Sequence, residues 1–254
     1  MFPTLSIGPL VLPVPALLLI LGVYFGLTAV EKLAPREKVA SAAAINSLMM
    51  GLLVGLIAAR VAFVIRFPDS FQNSPWQVLL PRPDLMDLQS GFVAGLAATM
   101  IYVSRKPGTV WSFLDAFTPG LALFSAAWWA ANFASGRLFG TETTLPWGIS
   151  LWGAVRHPSQ LYGFLGAIIV VLIVLPDWKK IVFQPAGMRF LVFLSITAGV
   201  FLKVSKFRGD VPTLGVNIHT DQLFAWLILA AVLFLIGRRI QHNSGKEAEY
   251  REGI

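Results

Sequence analysis

The chain has 254 residues, of which 56% are hydrophobic and 13% are charged, and its mean hydropathy is +0.71. A soluble domain of this length needs more charge to cover its surface, so the composition excludes an ordinary soluble protein and predicts an integral membrane protein. The sequence contains no cysteine, which excludes disulfides, thiolate metal sites and a cysteine nucleophile. The formal net charge of +7 is expected to reside in cytoplasmic anchors that face anionic lipid, so no nucleic-acid partner is predicted.

Hydrophobic segments of membrane-spanning length recur along the chain and predict an all-α integral membrane protein with seven transmembrane helices. A hydrocarbon core of about 30 Å needs roughly 20 residues at a rise of 1.5 Å each. The predicted membrane domain covers residues 1–242, and a disordered polar tail is predicted for residues 243–254. The seven predicted spans are Leu10–Val30, Ala42–Ile65, Leu88–Val103, Phe113–Phe133, Pro158–Leu175, Phe190–Val204 and Leu223–Ile236.

The connections between these spans alternate in charge. One set is short and carries most of the Lys and Arg residues, and the other set is longer and rich in Pro, Gly, Trp and Asp. Basic loops stay on the cytoplasmic side of a membrane. We therefore expect the amino terminus outside and the carboxyl terminus in the cytoplasm.

Two polar residues lie within predicted spans and need partners there. Arg60 is near the end of the second span, and a buried arginine costs about 2.5–3.5 kcal/mol unless its head reaches water or an anion. It either extends to the membrane interface or contacts a lipid phosphate. Asn132 is at the end of the fourth span, where it either bonds a neighbouring helix or positions a glycerol hydroxyl or carbonyl of a lipid.

The run Arg156-His157-Pro158-Ser159-Gln160-Leu161-Tyr162 crowds polar side chains against the start of the fifth span. Desolvation of such groups is costly, so they serve either a polar ligand head or a structural network. His157 is the histidine expected near membrane depth, either as a hydrogen-bonded structural residue or as a base. The three histidines are scattered and no helical His/Glu pair is present, so no metal site and no cofactor are predicted.

A basic cluster of Lys203, Lys206 and Arg208 follows the sixth span on the predicted outer side. Positive charge on that side opposes the positive-inside trend and needs a physical reason. Either an anionic lipid or phosphate binds there, or the charges are solvated near Asp210 and Asp221.

Several local sequences together resemble the bacterial prolipoprotein diacylglyceryl transferases over most of the chain. The most specific of them is the run from Arg156 to Tyr162, which is close to verbatim for that family. The others are Ile7-Gly8-Pro9, Gly55 to Arg60, Asp115-Ala116-Phe117-Thr118-Pro119, Asn132-Phe133, Gly136 with Gly140, and Gln222.

The resemblance implies transfer of a diacylglyceryl group from phosphatidylglycerol to the lipobox cysteine of a preprolipoprotein, with release of glycerol phosphate. The expected partners are therefore an anionic phospholipid and a preprolipoprotein signal peptide, and the expected location is a bacterial inner membrane. The expected catalytic residues are His157 as base and Arg156 as a phosphate partner. The residues expected to bind substrate are Arg60, Asn132, Gly140, Ser159, Gln160, Tyr162, Arg208 and Gln222.

The chain departs from the family pattern at positions that are polar or charged in the family. The family's His-Gly-Gly-Leu motif is Gln89-Ser90-Gly91-Phe92 here, and its arginine in the fourth span is Trp129. An arginine and a glutamate of the family's sixth span correspond to Phe201 and Ser205, and a tyrosine of its first span to Pro15. Loss of one electrostatic contact to developing charge typically costs about 10²–10³ in rate.

Three functions are therefore weighed. The first is a divergent transferase, in which Arg156, Lys203 or Arg208 has replaced the family's arginines. The second is a family member that has lost catalysis and binds an anionic lipid or a membrane partner protein. The third, a transporter or channel, is disfavoured because the sequence has no duplicated halves and no intramembrane acid pair.

Overall fold

The structure, a computed structural model, describes residues 4–8, 10–72, 74–79, 85–175, 185–210, 213–214 and 218–252. The chain forms two compact units, one of residues 1–30 with 117–254 and the other of residues 31–116. Each of the seven predicted spans corresponds to one α-helix. The helices are Val14–Leu33 (α1), Ser41–Arg66 (α2), Leu88–Ser104 (α3), Val110–Ser135 (α4), Ser159–Val174 (α5), Met188–Ser205 (α6) and Thr220–Glu252 (α7).

The helices differ in their capacity to cross a membrane. Helices α1, α2, α4, α6 and α7 each contain a stretch that is long and apolar enough to do so. Helices α3 and α5 are apolar but have 17 and 16 residues, at or below the lower end of the roughly 17–25 residues of a transmembrane helix. The composition and these helices together establish a multi-pass membrane protein.

Helix α1 begins later than predicted. Residues Leu10–Pro13 form a strand (β2) that pairs antiparallel with Thr4–Ile7 (β1), and the helix starts at Val14. Pro13 restricts the residue before it to extended conformations and lacks an N–H, whereas Pro15 is compatible with the first turn of a helix. Gly8, with φ of +61°, lies in the turn between the strands.

Helix α7 ends later than predicted. Its backbone continues to Glu252, so the segment predicted as a polar tail, residues 243–254, begins within this helix. The sequence there includes Lys246, Glu247, Ala248 and Glu249, all strong helix formers. No proline interrupts the segment.

In the unit of residues 31–116, helices α2 and α3 pack through facing glycines. A Cβ added at Gly55 would lie 2.9 Å from the carbonyl oxygen of Gly91, and one added at Gly95 would lie 2.7 Å from that of Gly51. The hydroxyl of Thr99 donates to the carbonyl of Gly95 at 2.9 Å. Small residues that let two backbones approach closely are the usual contact between membrane helices.

Asp87 caps the amino terminus of α3. Its carboxylate accepts a hydrogen bond from the backbone N–H of Ser90 at 3.1 Å and forms an ion pair with Arg66 at 3.0 Å. The N–H of Ser90 and, after it, the charge of Arg66 lower the pKa of Asp87 below its usual value of 3.8. The stabilisation is therefore present at neutral pH and is lost as the pH falls through the lowered pKa.

We expect Asp87→Asn to be less stable than the unmodified chain at neutral pH, because the amide keeps a capping oxygen but loses the charge. The difference in unfolding temperature, measured in detergent, should begin to shrink as the pH falls below the usual pKa of 3.8. It should be lost below the lowered pKa, where the carboxylate of the folded protein is protonated. A difference that stays constant with pH would contradict this role of the charge.

In the other unit, α4, α5 and α6 share a core, and α7 packs on α6. Trp129 of α4 is only 4% exposed and lies against Gly163 of α5, where any side chain would meet the indole ring. Further buried members of this core are Ala126, Ala167 and Val204. The position that carries an arginine in the family is therefore part of an apolar core.

Candidate functional site

The short segment of residues 139–141, which follows α4, joins two distant parts of the chain. Thr141 accepts a backbone hydrogen bond from His157 at 2.9 Å and donates one to Phe207 at 2.7 Å. Phe139 accepts one from Gly209 at 2.9 Å. The segment thereby holds the residues before α5 beside those after α6.

Gly140, the middle residue of this segment, is buried beneath His157. A Cβ at this position would lie 2.6 Å from the Cβ of His157 and would also overlap its carbonyl oxygen. Gly140 forms an isolated antiparallel bridge with Arg208. It therefore serves the site through its lack of a side chain, which permits the close approach of His157.

His157 and Tyr162 line an open, mostly apolar groove along α5 and α6, which we call the His157 groove. Its volume is about 610 Å³, within the roughly 300–1,000 Å³ of small-molecule sites. The ring of Phe207 lies 5.0 Å from the imidazole and 5.6 Å from the phenol. The other lining residues are Leu145, Trp147, Leu165, Gly166, Ile169, Val200, Lys203 and Val204.

Three polar side chains in this groove form one chain of hydrogen bonds. The indole Nε1 of Trp147 donates to the hydroxyl oxygen of Tyr162 at 2.9 Å. That oxygen lies 3.4 Å from Nδ1 of His157. The phenol therefore orients the imidazole, and Trp147 orients the phenol.

Arg156 does not line the groove. Its guanidinium pairs with Glu142 at 3.3 Å and donates to the carbonyl oxygens of Leu151 at 3.2 Å and Gly140 at 3.4 Å. These bonds hold the hairpin of Ile149–Leu151 (β3) and Ala154–Arg156 (β4). Arg156 was predicted as a catalytic phosphate partner, but its guanidinium is already bonded to Glu142 and to two backbone carbonyls.

Arg208 is buried with two carboxylates around it. Its guanidinium forms a bidentate pair with Asp210, at 2.9 and 3.1 Å, and a third bond with Asp221 at 2.8 Å. Ser205, at the position of the family's glutamate, donates to Asp221 at 3.1 Å. The charge of Arg208 is thus matched within the protein, whereas Lys203 and Lys206 of the same predicted cluster are exposed.

Arg60 belongs to the unit of residues 31–116, is partly buried, and does not pair with a described acid. Its guanidinium donates to the backbone carbonyls of Gln77, Val78 and Leu85, at 2.5–2.9 Å. It also lies over the ring of Phe71, 5.1 Å from the centroid. Arg60 lines a separate apolar groove of about 490 Å³, and its main contacts order the loop after α2.

Ser159 and Gln160 bind the turn that follows α4. The hydroxyl of Ser159 donates to the carbonyl of Leu138 at 2.6 Å, and the amide of Gln160 donates to that of Arg137 at 2.7 Å. Gln160 is fully buried, and its carbonyl oxygen has no partner among the described residues. These two predicted substrate contacts support the backbone of the site.

Asn132 and Gln222 make local contacts. The amide of Asn132 donates to the carbonyl of Trp128 in its own helix, at 2.8 Å. The side-chain oxygen of Gln222 accepts from the backbone N–H of His219 at 3.4 Å. Neither lines the His157 groove.

Trp147 and Phe207 belong to the groove but were not predicted as site residues. A tryptophan in a loop between spans is usually a membrane-interface anchor, so the sequence favours that interpretation of Trp147. No spacing in the sequence distinguishes an anchor from a groove wall. Within the described residues, no group of three or more His, Asp or Glu side chains could hold a metal ion.

Comparison with known proteins relates nearly the whole chain to one family. A sequence model described as prolipoprotein diacylglyceryl transferase matches residues 3–237. A relative from Finegoldia magna, named phosphatidylglycerol--prolipoprotein diacylglyceryl transferase, is 28% identical over 164 residues, covering 65% of this chain and 66% of the relative. Relatives with the same name come from Wolbachia sp. subsp. Brugia malayi, 31% identical over 62% of each chain, and from Gloeobacter violaceus, 28% identical over 92% of this chain and 94% of the relative. The chain thus spans just under two thirds of the first two relatives.

Proposed function

The chain belongs to the prolipoprotein diacylglyceryl transferase family, and on that premise we propose that it transfers a diacylglyceryl group from phosphatidylglycerol to the lipobox cysteine of a preprolipoprotein. The observation that carries the proposal is the position of His157 and Tyr162 in an apolar groove of about 610 Å³. A titratable group at the edge of such a groove suits a reaction whose lipid donor and peptide acceptor both come from the membrane. The names of the relatives support the choice of donor.

The proposed reaction is a displacement at the glycerol carbon that carries the phosphate. The acceptor thiol, with an ordinary pKa near 8.5, gives its proton to Nε2 of His157 and becomes a thiolate. The sulfur–carbon bond then forms as the carbon–oxygen bond to the phosphate breaks, and glycerol phosphate leaves with the electron pair. In this tautomer of His157 the proton is on Nδ1, and this N–H donates a hydrogen bond to the hydroxyl oxygen of Tyr162. The same oxygen accepts a hydrogen bond from Trp147.

We also propose that all seven helices cross a bacterial inner membrane, with the amino terminus outside. Basic residues in the connections after α1, α3 and α5 and near the end of α7 support this orientation. The short helices α3 and α5 then cross where partners or local thinning shorten the path. The site near His157 faces the outer side, where a lipobox cysteine would arrive.

A second function is favoured by one observation. Trp129 fills an apolar core, and both Arg156 and Arg208 are paired with acids. A site with so little free positive charge also fits a family member that binds an anionic lipid or a membrane partner protein without catalysing transfer.

The deciding experiment measures transfer from labelled phosphatidylglycerol to a lipobox peptide by the purified chain in detergent or nanodiscs. The first function predicts a thioether product that depends on the peptide cysteine, and rescue of cells depleted of their own transferase. Failure of the inserted, folded chain in both assays would leave lipid binding without transfer as the function.

Replacing Tyr162 with phenylalanine is expected to lower the transfer rate by about tenfold, the equivalent of one hydrogen bond of roughly 1.4 kcal/mol. The imidazole loses its orienting partner, so the pH profile should shift as well. Trp147→Phe should have a smaller effect in the same direction, because it acts only through the phenol.

Trp152→Phe is the matched control for Trp147→Phe. Trp152 is 67% exposed, donates to the carbonyl of Gly136 and does not line the groove. Equal rates and pH profiles for the Trp147 and Trp152 variants would show that the hydrogen-bond chain does not position His157.

A further inference from the structure

The His157 groove contains a single formal charge. Of its lining residues only Lys203 is permanently cationic, and none is acidic. The remaining walls are aliphatic and aromatic, apart from His157 and the polar tips of Trp147 and Tyr162. An apolar groove with one cation is complementary to an amphiphile whose head carries negative charge.

The neighbouring cationic side chains are paired with acidic side chains of the protein. Arg208 is paired with Asp210 and Asp221, and Arg156 with Glu142. Within the part of the chain that the structure describes, the side chain of Lys203 has neither a hydrogen bond nor an ion pair. Lys203 is thus the cation in the groove that is available to a ligand.

The chemistry of lysine suits this place. Its flexible stem of four methylene groups follows apolar surface while its ammonium group reaches a polar boundary. An ammonium group binds phosphate as a point charge and does not need the fixed geometry of a guanidinium. A phosphate at the end of the groove, with its acyl chains along α5 and α6, satisfies both the charge and the apolar walls.

We infer that Lys203 is the phosphate contact of this groove and that the groove takes a diacyl phospholipid with an anionic headgroup. This inference rests on the proposed function and names the residue that binds its donor lipid. Lys203 does not lie at a position that corresponds to one of the family's arginines.

The test measures lipid binding by the intact purified chain, separately from transfer. Native mass spectrometry of protein exchanged into nanodiscs of equal phosphatidylglycerol and phosphatidylcholine should show preferential retention of phosphatidylglycerol. Lys203→Glu should lower that preference by about tenfold, the scale of one charged hydrogen bond, and Lys203→Arg should preserve it. Lys206→Ala is the matched control, because Lys206 is exposed, lies one turn away and does not line the groove.

Three outcomes would overturn the inference. Lys203→Glu could keep the phosphatidylglycerol preference, Lys206→Ala could lower it as much as Lys203→Glu, or Lys203→Glu could change binding of a lipobox peptide at unchanged lipid occupancy. The transfer assay distinguishes these results from failure of the proposed function. If the chain retains phosphatidylglycerol through Lys203 but forms no thioether, this inference stands and the transferase proposal fails. If transfer occurs independently of Lys203, the transferase proposal stands and this inference fails.

Discussion

Replacing His157 with alanine is expected to lower the rate of diacylglyceryl transfer by about 10²–10⁴-fold, the range for loss of a general base. The acceptor thiol is mostly protonated at neutral pH, because its ordinary pKa is near 8.5. His157 is the only imidazole that lines the His157 groove. The measurement is the initial rate of thioether formation, together with rescue of transferase-depleted cells.

His242→Ala is the control for this substitution, because residue 242 belongs to the carboxyl-terminal part of α7. A raised reaction pH should partly restore the His157→Ala rate, because more thiol then ionises without help. A folded His157→Ala protein with the unmodified rate would remove His157 from the reaction. Unfolding temperatures of both variants establish that the comparison concerns chemistry and not folding.

Replacing Gly140 with alanine is expected to destabilise the protein by about 1–3 kcal/mol, the usual cost of forcing atoms into a packed site. The added methyl group overlaps the carbonyl oxygen of His157 and lies 2.6 Å from its Cβ. These atoms belong to the backbone and the root of a side chain, so they cannot turn away. Transfer activity should fall with stability, because the displaced residue is His157 itself.

Gly199→Ala supplies the comparison. Gly199 lies within α6 and a Cβ there would meet no heavy atom within 4 Å, so alanine should stabilise the helix by roughly 0.5–1 kcal/mol. Opposite shifts in unfolding temperature are therefore expected for the two variants. If Gly140→Ala matched Gly199→Ala in stability and rate, the close approach at residue 140 would not be what forms the site.

Much of the secondary structure follows from the sequence, because a helix in a membrane is encoded by a local run of apolar residues. All seven helices were predicted, and most of their ends fall within a few residues of the predicted ones. The larger errors have local causes. Pro13 delays the start of α1, and the strong helix formers from Lys246 to Glu249 favour the longer α7.

The candidate site was predicted only in part. The run from Arg156 to Tyr162 contains two groove residues, His157 and Tyr162, which its dense polar character indicated. The resemblance implied that Arg156 is a phosphate partner and that Arg208 contacts the substrate, and both roles stay predictions. Arg156 pairs with Glu142, 14 residues away in sequence, whereas Arg208 pairs both with Asp210, two residues away, and with Asp221, 13 residues away.

The sequence by itself determined a multi-pass helical membrane protein of the prolipoprotein diacylglyceryl transferase family, with a polar cluster at the start of α5. Only the tertiary structure decided which positive charges are compensated, that Trp147 reaches Tyr162, and that Lys203 shares a groove with His157. Hydrophobic runs and family motifs are contiguous along the chain, so they can be recognised locally. Ion pairs and groove walls arise where the backbone at Thr141 joins His157 to Phe207, and no local pattern specifies that meeting.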